Sequence, residues 1–127
     1  MVEPIQGEAG VRAAKDGGYL RKVAEVCQRY DVLLIVGEVQ TGLGRTGKWL
    51  CSYYENVRND ILILDKTVSC SYYPILTVLC DDSIMLNIKP DQQSSTFEGN
   101  PLACRITMVL VTVVDEENLA SNAFKME

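Results

Sequence analysis

Two uninterrupted apolar runs, Val32-Leu33-Leu34-Ile35-Val36 and Ile61-Leu62-Ile63-Leu64, constrain this chain more than any other feature. Neither alternates apolar with polar residues, so neither suits a sheet with one wet face. Continuous runs of this length suit strands covered on both sides. The first run leads into Gly37-Glu38-Val39-Gln40-Thr41-Gly42 and the second into Asp65-Lys66-Thr67. A lysine at the end of a buried strand is costly unless it is partnered or chemically used. One use is a Schiff base with an aldehyde cofactor; the plain alternative is an exposed lysine at a strand's end.

The remaining elements follow from spacing and caps. Leu20, Val23, Cys27 and Tyr30 recur at helical intervals while Arg21, Lys22, Glu25 and Arg29 face outward, which predicts a helix over Tyr19–Tyr30, closed by a turn at Asp31. Ile75 to Cys80, behind Pro74, reads as a third strand, and Asp82 to Ile88 as a short helix. Asn100-Pro101 is a cap followed by a first-turn proline, and it opens a helix to about Val114; Glu116 to Phe124 continues as a more polar one. The layout is α/β, with a partial parallel or mixed sheet and covering helices in one domain over residues 1–127. With so few strands, at least one sheet edge should lie open.

Composition removes several function classes. The net charge is −5 and no basic cluster occurs, which argues against nucleic acid. No apolar run approaches the ~18 residues of a membrane span; the longest, around Ile106 to Val114, carries two threonines and stops at Asp115. The N-terminus offers no targeting signal, so the cytoplasm is the default expectation. Five cysteines in irregular spacing, with no histidine, predict reduced and mostly buried thiols and no metal site.

Four ordered motifs go further. They are Glu3-Pro4-Ile5-Gln6-Gly7-Glu8-Ala9-Gly10, then Gly37-Glu38-Val39-Gln40-Thr41-Gly42-Leu43-Gly44-Arg45-Thr46-Gly47, then Lys66, then Ser95-Thr96-Phe97-Glu98-Gly99-Asn100-Pro101-Leu102. In this order they resemble the central part of a class III pyridoxal-phosphate aminotransferase, and within that family the ornithine aminotransferases. The resemblance covers nearly the whole chain. It implies a fragment of the large domain of the aspartate-aminotransferase fold type, pyridoxal 5'-phosphate as cofactor, and amino-acid and 2-oxo-acid substrates. It also implies a homodimer, or pairing with a full-length relative, and a mitochondrial-matrix family.

The resemblance assigns roles residue by residue. Lys66 is the Schiff-base lysine and proton shuttle, in an apolar surround that favours its neutral form. Gln40 contacts the cofactor's phenolic oxygen. Ser95 and Thr96 form a phosphate-binding turn that reaches across a dimer interface. Glu8 stands near the substrate. Gly37 departs from the pattern, because the family has an aspartate there that keeps the pyridine nitrogen protonated. Glu38, next along an extended strand, should point to the opposite face. Phe97-Glu98-Gly99 also departs from the usual aromatic-Gly-Gly, and Glu98 adds negative charge beside the expected phosphate.

The family reaction moves the δ-amino group of ornithine to 2-oxoglutarate. With the acid at 37 lost, and with the family's glycine-rich phosphate loop and substrate arginine not matched, activity of this chain alone is expected to be weak or lost. Two other classes compete. One is a non-catalytic partner of a full-length aminotransferase, or a fragment without a function of its own. The other is a nucleotide-binding module at Gly42 to Gly47, which fits G-x-G-x-x-G; it requires a strand immediately before and a helix immediately after.

Overall fold

A computed structural model describes residues 1–15, 17–93 and 95–126. Its sheet has three strands in the order β1 (Ile35–Gly37), β2 (Ile61–Leu64) and β3 (Thr77–Cys80). β1 and β2 are parallel, with Ile35 opposite Ile61 and Gly37 opposite Ile63, whereas β3 runs antiparallel to β2 with Leu64 opposite Thr77. The sheet is therefore mixed. On the outer side of β1 the N-terminal segment adds a parallel bridge, Val2 to Val36. β3 is the outer strand, and its Val78 and Leu79 are exposed, so the expected open edge is present among the described residues.

Helix α1 (Tyr19–Arg29) forms where the apolar stripe predicts it, except that Tyr30, expected as the last residue of the stripe, falls just past the helix and is exposed. Gly17 and Gly18 precede it with φ of 62° and 66°, a left-handed entry that glycine adopts without steric cost. Asp31, at φ 53°, turns the chain out, and the Val32 N–H donates back to the Cys27 carbonyl. The inner face of α1 sets Leu20, Val23, Ala24 and Cys27 against Leu34, Val36, Val57 and Val2. Full burial of a side chain such as Leu20 contributes about 1.5–3 kcal/mol.

The first apolar run supplies less strand than expected. Val32 and Leu33 are more than half exposed, and the ladder begins only at Ile35. The reason lies on the neighbouring strand. Asp60 turns its carboxylate onto the Leu34 N–H at 2.7 Å, and the Leu34 carbonyl accepts from the N–H groups of Asp60 and Ile61. The pairing closes there, and among the described residues Val32 and Leu33 join no strand. β3 is likewise shorter than the predicted Ile75–Cys80, and the short helix α2 covers only Asp82–Met85.

Helix α3 (Pro101–Glu116) starts as its cap predicts, with the Asn100 Oδ1 accepting from the N–H groups of Leu102 at 2.9 Å and Ala103 at 3.2 Å. Helix α4 (Leu119–Lys125) is set off from it by Asn118 at φ 52°. Of α3, Val114 alone is buried among the described residues, and Leu102, Met108 and Val109 stand exposed.

Candidate active site

β2 ends at Leu64, and the chain passes through Asp65 into a 3₁₀ turn over Lys66–Ser69. Val68 and Ser69 are buried, and the Ser69 hydroxyl donates to the Tyr73 carbonyl, so the turn is anchored while Lys66 projects from it. β1 ends one strand away, at Gly37, and delivers the segment carrying Glu38 and Gln40 to the same end of the sheet. The N-terminal segment runs past both.

Three residues expected at the site meet here. The Gln40 Nε2 donates to the Glu8 Oε2 at 2.8 Å, and the Lys66 Nζ lies 3.9 Å from that same oxygen. Gly7 makes the approach feasible, since a β-carbon on it would lie 2.1 Å from the Gln40 Oε1. The apolar surround expected for Lys66 is not found: its side chain is 57% exposed, and the group its amine faces, the Glu8 carboxylate, is itself largely exposed. So exposed an ion pair adds about 0–1 kcal/mol at most, so the grouping matters for its chemistry rather than for stability.

Ser95 and Thr96 lie apart in an exposed turn that closes on itself. The Phe97 N–H donates to the Ser95 Oγ at 3.4 Å and the Glu98 N–H to the Ser95 carbonyl at 3.1 Å. No hydrogen bond or ion pair among the described residues joins them to Glu8, Gln40 or Lys66.

Gly37 keeps a backbone that any L-residue can adopt, and a β-carbon there would meet nothing closer than the Glu3 Cγ at 3.6 Å. The missing acid is thus not a steric necessity of the fold. Glu38 points inward, as the alternation of an extended strand requires, and is 0% exposed. One of its carboxylate oxygens accepts from the Thr41 hydroxyl at 3.0 Å and the Cys51 N–H at 2.7 Å; the other accepts from the Ser52 N–H at 2.8 Å. It thereby caps the 3₁₀ turn Cys51–Tyr54, whose own preceding residue, Leu50, offers no side-chain cap. Strand alternation alone indicates the direction of Glu38 but not its partners. The available signal was that Val36 and Glu38 share one strand face, and an acid on a core face must be hydrogen-bonded. Burial, and then the Glu38 charge, push the Cys51 thiol above its ordinary range. The expectation of mostly buried thiols needs correction, because Cys70 and Cys104 are exposed and the other three are only half-buried. Both exposed cysteines lie on surfaces that the chain leaves uncovered.

The glycines of the 42–47 loop serve packing. A β-carbon on Gly42 would come within 2.8 Å of Leu64 Cδ2, Gly44 lies against Ala120, and a β-carbon on Gly47 would come within 2.8 Å of the Phe124 Cβ. β1 stops five residues before Gly42, and turns rather than a helix follow Gly47, so the context a dinucleotide fingerprint needs is not formed. An open groove of about 530 Å³ lined by Leu50, Tyr53, Leu62, Leu79 and Asp81 also lies away from Lys66. Its size does not make it the reactive site, since no lysine lines it and its Arg58–Asp81 ion pair is exposed. Among the described residues no three metal-binding side chains gather, and no helix is long and apolar enough to cross a membrane.

A strand-end lysine grouped with a glutamine and a glutamate, on an α/β framework with a mixed sheet, has a clear family setting. The chain belongs to the class-III aminotransferases, whose family match runs over residues 1–127. Within that family it is ornithine aminotransferase-like. It is 59% identical over 126 residues to the mitochondrial ornithine aminotransferase of Drosophila melanogaster, covering 99% of this chain and 29% of the fly protein. The Plasmodium yoelii ornithine aminotransferase superposes with a TM-score of 0.91 at 51% identity, over 98% of this chain and 33% of that one. The Toxoplasma gondii ornithine aminotransferase, with partial occupancy of PLP at its active site, gives a TM-score of 0.91 at 47% identity over 94% and 28%. The chain thus spans about 30% of the length of the relatives it matches.

Proposed function

We propose that residues 1–127 are part of the large domain of a pyridoxal-phosphate-dependent aminotransferase of the ornithine type. The family reaction transfers the δ-amino group of ornithine to 2-oxoglutarate, and this chain by itself carries it out weakly or not at all. The observation that carries the reading is the convergence of Glu8, Gln40 and Lys66 at one end of β1 and β2.

The donor set fits the aldehyde end of the cofactor. Lys66 offers a primary amine that an aldehyde can reach, and the amide of Gln40 can donate to a ring oxygen. When bound, pyridoxal phosphate supplies an electron sink for charge left on the substrate carbon. Lys66 would hold the cofactor and carry the proton, and Glu8 would face the amino substrate. Ser95 and Thr96 offer hydroxyls to a phosphate in the site of a second copy. The ring-nitrogen end fits less well, since Gly37 brings no acid. The fly relative supports the mitochondrion as compartment over the cytoplasm expected from the sequence.

An absorbance scan with added pyridoxal phosphate tests this reading. A near-visible band that disappears in Lys66→Ala is expected. A band of equal strength in both proteins would remove Lys66 from its role. A second reading, a non-catalytic partner of a full-length relative, is favoured by the uncovered apolar residues of α3 and the open edge at β3. Co-purification with such a relative, without the absorbance band, would favour it.

A further inference from the structure

We infer that Glu3 supplies the carboxylate that Gly37 cannot, so that the acid for the cofactor's ring nitrogen comes from the N-terminal segment rather than from β1. This rests on the reading of Lys66 as the cofactor lysine. A pyridoxal-type cofactor held by a lysine works as an electron sink when an acidic side chain keeps its pyridine nitrogen protonated. Four carboxylates lie on the segments that meet at this end of the sheet, and three are unsuited. Glu38 is fully buried, with its oxygens taken by three donors. Glu8 is held by Gln40 on the lysine side. Asp65 sits at the end of β2, one strand away from Gly37.

Glu3 is placed differently. The Val2 N–H donates to the Ile35 carbonyl and the Gly37 N–H to the Val2 carbonyl, both at 2.9 Å, which locks the N-terminal segment in parallel register along β1. That register sets Glu3 beside Gly37, with its Cγ 3.6 Å from the point a β-carbon on Gly37 would occupy. The carboxyl carbon is one bond beyond that Cγ, so a Glu3 carboxylate can reach the space beside the one an aspartate at 37 would use. Among the described residues no hydrogen bond or ion pair engages it, which leaves it free for a ring N–H. The same segment then delivers Glu8 to Gln40 and Lys66, so one stretch of chain serves both ends of the site. Glutamate has one more rotatable bond than aspartate and Glu3 is exposed, so its hold on the proton is looser than that of an acid fixed on the strand.

The test uses the whole chain loaded with pyridoxal phosphate labelled with ¹⁵N in the ring, and follows the ring-nitrogen resonance against pH. In the unaltered chain a protonated ring nitrogen is expected. In Glu3→Gln its apparent pKa should fall by about one unit, the low end of the shift an opposite charge produces at such range. Adding Gly37→Asp to Glu3→Gln should restore it, and Glu3→Asp, one carbon shorter, should fall between. Identical titrations of the unaltered chain and Glu3→Gln, both bound through Lys66, would overturn the role of Glu3 and leave the cofactor reading intact. Loss of any Lys66-dependent bound signal in the unaltered chain would overturn both.

Discussion

Glu38→Ala should lower the stability of this chain by about 3–5 kcal/mol, the largest effect expected of any single substitution at this end of the sheet. The carboxylate is fully buried, and the N–H groups of Cys51 and Ser52 and the hydroxyl of Thr41 all donate to it. Removing it strands buried donors at about 1–3 kcal/mol each and leaves a cavity besides, with partial relaxation limiting the sum. Glu38→Gln keeps the shape but turns an amide N–H₂ toward donors, so it should lose about half as much. Urea denaturation of the three proteins checks both values. A loss below about 1 kcal/mol for the alanine variant would mean that Glu38 is not the capping group for the turn at Cys51. Because the loop between them carries Gln40, the same variant should also loosen the Gln40–Glu8 contact.

Gly47→Ala should cost about 2–4 kcal/mol, and the loss should appear first in α4. The residue has φ 87°, where an added β-carbon strains the backbone. The same β-carbon would stand 2.8 Å from the Phe124 Cβ and 3.1 Å from its Cα, so the clash is with the helix itself and not with a side-chain tip that could swing away. Hydrogen exchange should report faster exchange in Leu119–Lys125 than in α1. Unchanged protection of α4 would contradict the packing role of the glycine loop. A thermal shift with ATP or dinucleotides would revive the nucleotide reading, and none is expected.

Local chemistry was the readable part of the sequence. The Asn100-Pro101 start of α3 needs only a cap and a first-turn residue, both adjacent in the chain, and it forms as expected. The apolar stripe of α1 is likewise complete within eleven residues. The strands were readable as apolar runs, but their lengths and directions were not. Whether Val32 and Leu33 join a ladder depends on where Asp60 turns its carboxylate, and whether β3 runs antiparallel depends on a connection with no periodicity to read. The site shows the same division. Ordered motifs named Glu8, Gln40 and Lys66, and the fold brings them together from three separate segments. The exposure of Lys66 was not visible, because cover over a strand end is a tertiary property. The role of Glu38 was hidden for the same reason, since its partners Cys51 and Ser52 lie across a loop.

The most direct test of Lys66 as the cofactor lysine is borohydride reduction of the chain after incubation with pyridoxal phosphate, followed by peptide mapping. Five other lysines, Lys15, Lys22, Lys48, Lys89 and Lys125, serve as internal controls. The account predicts a pyridoxyl adduct concentrated on the peptide that contains Lys66. An adduct spread over the lysines without preference, or none at all, would contradict it.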